Sequence, residues 1–504
     1  MKLEELLSLR SLGGDFAELY DFVNAGKSCA AVALGPSERA HIATHLGRFV
    51  LYVVPDSPTQ NMMFERISGF CPSALVLDPK DDLLIYRKAF QHSRITARLK
   101  VLAAMARGEA GCVITTPQAL AEYYPDPKRL LDSILHVKTG DTLDLMDLTD
   151  KLTEMGYVRE ARADEKSSFS LAGDTLVVFP PDSDLPVRIS FWGDEVESIK
   201  LYDPESMITV AEKNEMEIFP CNDLLLTEKE WTSALDKAGK ESAKGKAKSG
   251  ERRGAILADL EAAGRRDQGG QWLLPFYKNT RVNLTAYLPE NSLIALEEDG
   301  LIVDKLGLYL EEHAQRVKAL SEDGETLPAH AKILFGADDI RRMIAPFAKT
   351  AFYSITSTAR LFDPQRIFKL RCSPLSDYTL NYKALYNDLR NFRNGGMNVI
   401  LCMGDSRTAH TIADSLNGEE ILCRYEDEPS QGSAIHVTPL RLNRGVCYPG
   451  CKLAIIGRDD IIRRSGGRIT TRARAAFSVP KMGDYVVHDV HGIGRCVGIR
   501  RMAM

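Results

Sequence analysis

Two stretches carry residue types that could cradle a phosphate. Gly26-Lys27-Ser28 has the glycine, lysine and hydroxyl that a phosphate-binding loop needs: backbone N–H groups for the oxygens, a cation for the β/γ-phosphates and an oxygen ligand for Mg²⁺. The full pattern also places a glycine at position 21, where this chain has Asp21, and it must follow a strand and open a helix. Here it precedes the apolar run Ser28–Leu34. The place where such a loop belongs reads Leu34-Gly35-Pro36-Ser37-Glu38-Arg39-Ala40, with no lysine and with Glu38 adding a repulsive charge; Ser37 reads as a helix N-cap. The acidic run Glu297-Glu298-Asp299 after Leu293–Ala295 resembles a Mg²⁺-holding strand end, but without a phosphate cradle it reads as a turn. Local spacing predicts no ATP hydrolysis.

Metal-binding patterns fare no better. Cys447 and Cys451 form the one close cysteine pair, with no second Cys/His pair nearby to complete a tetrahedron. His488 and His491 sit among Gly492 and Gly494, which is turn material rather than one face of a helix. No Ser/His/Asp or Cys/His set has supporting spacing. The expectation is no catalytic residue, no cofactor and no metal.

The elements that would carry such residues are nonetheless those of a nucleotide-binding core. Short apolar runs at Ser28–Leu34, Phe49–Val54, Ala74–Leu77 and Gly111–Thr115 are separated by helix-like stretches such as Ser37–Phe49 and Arg94–Arg107. That alternation predicts βαβ units and a parallel sheet. After about residue 130 the period changes. Phe169 and Leu171, then Val187, Ile189 and Phe191, fall at every second position around the turn-rich Phe179–Leu185, which predicts a small antiparallel β domain over 130–216. A second αβ-like block follows at about 330–460, with the runs Val399–Met403 and Leu453–Ile456 around a helical Ser406–Leu416.

Composition sets the outer bounds. The 504 residues are 44% hydrophobic and 26% charged, which excludes a disordered or disulfide-stapled chain. Sixty-four Lys+Arg against 69 Asp+Glu leave a net charge of −5, so any DNA contact must come from a local basic patch. Two segments qualify. Residues 232–253 carry Lys237, Lys240, Lys244, Lys246, Lys248, Arg252 and Arg253 with almost no apolar anchor, and read as a linker-like segment, either a solvated loop or frayed helix or a DNA-touching loop. Residues 458–481 turn basic and lose periodicity, and read as an interdomain linker or a nucleic-acid-facing stretch. The ten cysteines are scattered as reduced thiols would be, and Glu4 and Glu5 stand where a secretory signal needs an apolar core. No apolar stretch approaches membrane-spanning length. The predicted location is cytoplasmic.

In the β domain the alternation points to a partner. With Val187, Ile189 and Phe191 facing inward, Arg188, Ser190 and Trp192 face outward. A Trp beside an Arg on an open face has the composition of an interface hot spot; the competing reading is a Trp192 covered by a neighbouring domain.

These residues lie within a recognisable stretch. Phe169–Pro180 (FSLAGDTLVVFP) and Leu185–Pro204 (LPVRISFWGDEVESIKLYDP) closely resemble the domain shared by UvrB and the transcription-repair coupling factors (Mfd). Gly483–Arg495 (GDYVVHDVHGIGR) resembles the opening of the RNA polymerase-interacting domain of the latter, with Ile114–Gln118 and Tyr287–Asn291 in the order that family has them. The resemblance implies an α/β multidomain chain: a degenerate P-loop NTPase-like, UvrB-like parallel-sheet domain with an inserted antiparallel β domain, a second α/β domain, and the start of a small β domain of CarD/Tudor type. The corresponding boundaries are 1–129 and 217–330 for the two parts of the UvrB-like domain, 130–216 for the insertion, 331–460 for the middle domain, 461–478 for a linker and 479–504 for the polymerase-interacting start.

The same resemblance implies that the β domain recruits UvrA, with Arg188 and Trp192 on the contacting surface. A domain gripping the RNA polymerase β subunit and an ATP- and Mg-dependent motor on double-stranded DNA belong to the full family protein. Only residues 479–504 represent the polymerase-gripping domain, so neither polymerase binding nor translocation is expected of this chain. The family usually has Arg-Gly where this chain has Ala172-Gly173, so one charged anchor is missing. The alternative is a DNA-dependent ATPase or helicase of UvrB type, which an intact P-loop lysine would have favoured. A further reading has the Arg188/Trp192 face masked by the family's C-terminal part.

Overall fold

The computed structural model describes residues 3–462, apart from 81–83, 85–91, 245–246, 265–267, 356–357, 380 and 430–433, together with the strands at 485–488 and 492–495. The apolar runs of the first third form strands Cys29–Val32, Val50–Val53, Ala74–Leu77 and Cys112–Thr115. They join Leu293–Glu297, Ala348–Tyr353 and Arg366–Lys369 in one seven-stranded sheet whose pairings are all parallel. Spatial order runs 366–369, 29–32, 348–353, 293–297, 50–53, 112–115, 74–77. Both faces are covered by helices, so strands such as Val50–Val53 and Leu293–Glu297 are buried at every position.

The boundary expected at 331 is displaced. Ala348–Tyr353 and Arg366–Lys369 flank Cys29–Val32 and complete the first sheet. The second sheet starts at Asn398–Cys402 and orders its strands as 424–425, 435–438, 398–402, 453–457, 446–448, with only the last antiparallel. A buried apolar strand does not state which sheet it joins; pairing partners hundreds of residues away decide that. The two sheets share one apolar core, in which Tyr448 packs edge-on against Phe16 at 4.8 Å and its hydroxyl meets His41 Nδ1 at 2.6 Å.

Residues 232–253 are not a linker. Apart from 243–246, they lie in helices Glu228–Ser242 and Ala247–Ala263, the first opened by a capping box between Thr227 and Glu230. Trp231, Ala234 and Ala238, at i, i+3 and i+7, bury one face against Leu260, Trp272 and Tyr277. Alanines supply the anchor that larger apolar residues were expected to provide. The helix after the first strand also differs at its start: it spans Pro36–Thr44 with Gly35 as N-cap and Pro36 at its first position, so Ser37 is not the cap.

Of the basic stretch 458–481, Arg458–Ile461 forms a short helix and residues beyond 462 lie outside the described ones. Tyr485–His488 and Gly492–Arg495 pair antiparallel, while His491 is not described. No helix among the described residues is long and apolar enough to cross a membrane.

Candidate partner-docking surface

The β domain is clasped at its base by Leu135–Lys138 pairing antiparallel with Glu215–Ile218. Between these strands lies a six-stranded sheet in the order 209–213, 195–202, 187–192, 175–179, 168–172, 158–159. Helix Leu145–Glu154, capped by Asp144, lays Leu148 and Leu152 on one face of it, in a core with Phe169, Leu176, Val178, Val187, Ile189 and Phe191. On the opposite face Arg188 and Ser190 are half-buried and Ala172 and Trp192 are exposed, while Ser170 and Tyr202 are buried.

Strand Val187–Trp192 alternates as the period required: Val187, Ile189 and Phe191 are buried, Arg188 and Ser190 are half-buried, and Trp192 is 81% exposed. That exposure decides against Trp192 being covered by another part of the described chain. A two-residue turn, Gly193-Asp194, joins Trp192 to its partner Glu195, with Gly193 at φ +61°.

Strand register arranges the face opposite helix Leu145–Glu154 in rows. Ala172, Thr175, Ser190 and Ser198 are successive cross-strand partners, and Ser170, Val177, Arg188, Lys200 and Glu212 form the next row. Ala172, Arg188 and Trp192 therefore share one face, with Ala172 exposed as expected. The Arg188 guanidinium lies 4.4 Å from the centroid of the Tyr202 ring, and no carboxylate among the described residues pairs with it. Lys200 approaches Glu212 at 3.9 Å. Lys200 and Tyr202 were not singled out from the sequence; pairing strand 187–192 with 195–202 through the Gly193-Asp194 turn would have found them.

The loop after the first strand has a different character. Arg39 is 3% exposed and its guanidinium donates to the Leu34 carbonyl at 3.0 Å, to Ser354 Oγ at 2.6 Å, to Glu298 at 3.2 Å and to Glu297. The Tyr52 hydroxyl donates to the same Glu297 carboxylate. Burial raises the Glu297 pKa against the pull of Arg39. Glu38 is also buried, and its Oε2 lies 2.5 Å from where a Cβ on Gly35 would stand. The acidic run turns the chain as expected, with Glu298 left-handed at φ +48°, but Glu297 is in addition the buried partner of Arg39. Gly26-Lys27-Ser28 joins helix Gly14–Asn24 to the strand at Cys29, with Lys27 over the Phe22 ring and Ser28 Oγ accepting the Lys349 N–H.

Comparison with known proteins agrees with this geometry. The family model described as the UvrB interaction domain matches residues 135–224, which is the clasped β domain and its exit. The chain is 22% identical over 450 residues, 85% of its length, to a transcription-repair-coupling factor of Bacillus subtilis, and 21% identical over 449 residues to one of Staphylococcus aureus. It spans 38% and 37% of those relatives. The chain thus carries a UvrB interaction domain and is similar, over most of its length, to the N-terminal region of transcription-repair coupling factors.

Proposed function

We propose that this chain is a recruitment module that docks the nucleotide-excision-repair protein UvrA through this face of its β domain, with Arg188 and Trp192 as contact residues. The observation that carries the reading is a Trp 81% exposed beside an Arg that has no carboxylate partner among the described residues, on one face of a domain matching the UvrB interaction family. An exposed aromatic and a neighbouring cation resting on a ring are the parts from which interface anchors are built. In the longer relatives' setting, this docking would bring UvrA to RNA polymerase stalled at a DNA lesion. The polymerase β subunit and double-stranded DNA are partners proposed for such a longer protein, not for this chain.

The same reading makes this chain a binder and not an ATPase, with no cofactor of its own. The end of the first strand, where a nucleotide's phosphates would lie, is occupied by the Arg39–Glu297–Glu298 cluster and the folded-back Glu38. That weighs against the DNA-dependent ATPase alternative, which a DNA-stimulated ATPase assay tests directly.

The deciding experiment is a titration of the chain against UvrA at low and moderate salt. Saturable binding is expected, weakened at least tenfold by Arg188→Ala and by Trp192→Ala with the thermal transition unmoved. A folded chain that does not bind, or two variants that bind as well as the parent, would overturn the assignment.

A further inference from the structure

Arg253, the last residue of the basic segment, is not a surface cation. It is 4% exposed, and its guanidinium is fixed by Nε donating to the Thr326 carbonyl at 2.9 Å and Nη2 donating to the Ser321 carbonyl and Oγ at 2.7 and 2.9 Å. Its Nη1 has no hydrogen-bond partner among the described residues. The nearest acid from the neighbouring helix, Glu241, is engaged by the Ala329 N–H at 3.1 Å.

Arg253 lines a cleft of about 550 Å³. Helix Asp299–Glu322 forms one wall with Ala314 and Val317, and the turn carrying Pro328 and Ala331 forms the other. Lys318 and Glu322 stand one helical turn apart on the same wall, so their charges offset each other, and Arg253 is the cation held in the cleft wall, with the Glu241 carboxylate acting on it from the neighbouring helix. A volume in the small-ligand range, largely apolar walls and one immobilised donor with a free N–H are the elements of a ligand site. A guanidinium held in place by three hydrogen bonds loses little freedom on binding, and it suits a carboxylate oxygen better than any neutral group.

We propose that this cleft binds a carboxylate carried on an apolar body, the acid meeting Nη1 of Arg253 and the body lying on Val317, Pro328 and Ala331. The acid can come from a free amphiphilic acid or from the C-terminal end of a peptide. Arg253 and Val317 belong to the helical layer around Trp272, not to the β domain's core, so this site is independent of the docking face.

Ligand-observed saturation-transfer NMR and calorimetry on the whole chain test it with paired probes: octanoate against octanol, and acetyl-Ala-Ala-Leu with a free C-terminus against its amide. At least one acid is expected to bind with a dissociation constant below about 1 mM, and its neutral counterpart at least tenfold more weakly. Which acid binds identifies the source. Ala331→Trp, at an exposed position, should abolish binding while leaving the thermal transition in place; Ala314→Trp on the opposite wall repeats the test should the first variant melt early. No binding by either acid, equal binding by the neutral probes, or undiminished binding to a folded, filled-cleft variant would each overturn the proposal.

Discussion

The guanidinium of Arg188 rests on the ring of Tyr202, 4.4 Å from its centroid, although the two residues lie on different strands and are not direct cross-strand partners. Arg188 faces Lys200 directly, and Tyr202 lies two residues further along the same strand. The ring is 6% exposed and forms a fixed platform under the half-buried Arg188. Tyr202→Phe should therefore preserve UvrA affinity, whereas Tyr202→Leu should weaken it by roughly two- to fivefold, the size of an exposed cation–π contact. The salt dependence of binding should fall with the Leu variant alone. Equal affinities for both variants would show that Arg188 needs no platform.

Ala172 stands beside Thr175, which stands beside Ser190, in the row next to Arg188. An arginine there would point from the same face, and nothing in the fold opposes it, because the position is exposed near a strand end. Ala172→Arg is expected to raise UvrA affinity by about tenfold, the size of one charge-assisted contact. Unchanged affinity, measured by calorimetry against the parent, would mean that this row lies outside the contact.

Arg39 and Glu297 form a buried ion pair whose members lie 258 positions apart. Arg39→Met leaves Glu297 without its cation beside the half-buried Glu298, and should cost about 3–5 kcal/mol in denaturant unfolding. Because burial already raises the Glu297 pKa, protonation relieves the variant, and its deficit should shrink as pH falls from 8 toward 5. Restoring neutrality with Glu297→Met should recover most of the loss. A single variant within about 1 kcal/mol of the parent would show that the pair contributes little to stability.

What could be read from the sequence divides along range of interaction. The outward face at Arg188, Ser190 and Trp192 was legible because strand alternation is local, and Val187, Ile189 and Phe191 declare it within six residues. The placement of Ala348–Tyr353 beside Cys29–Val32 was not, since parallel pairing joins segments whose own composition is alike. The helix at Glu228–Ser242 was hidden by its lysines, although Thr227, Glu230 and Trp231 mark its start. Arg39 escaped notice for a related reason. The loop was judged by the lysine it lacks, while the partners that make Arg39 informative arrive from Glu297, Glu298 and Ser354.

His330 makes the stability of the helical layer depend on pH. Its Nε2 lies 2.8 Å from the Trp272 carbonyl and its Nδ1 lies 3.0 Å from both the N–H and the carbonyl of Leu327, so the neutral ring donates from Nε2 and accepts the Leu327 N–H at Nδ1. Burial, reinforced by the nearby His313 and Arg253, lowers its pKa to about 4. In the unfolded chain the ring titrates near 6.5. Above that value both states are neutral and the group leaves stability independent of pH. Between about 6.5 and 4 the unfolded chain binds the extra proton, so stability falls with pH by roughly 3 kcal/mol in all. Below about 4 the contribution levels off. His330→Gln retains polar atoms without titrating there, and should flatten this segment of the curve while lowering stability at pH 7. Urea unfolding at half-unit steps from pH 7 to 4.5 measures both slopes. Parallel curves for parent and variant would place the acid sensitivity elsewhere, His41 being the first alternative, because burial lowers its pKa as well.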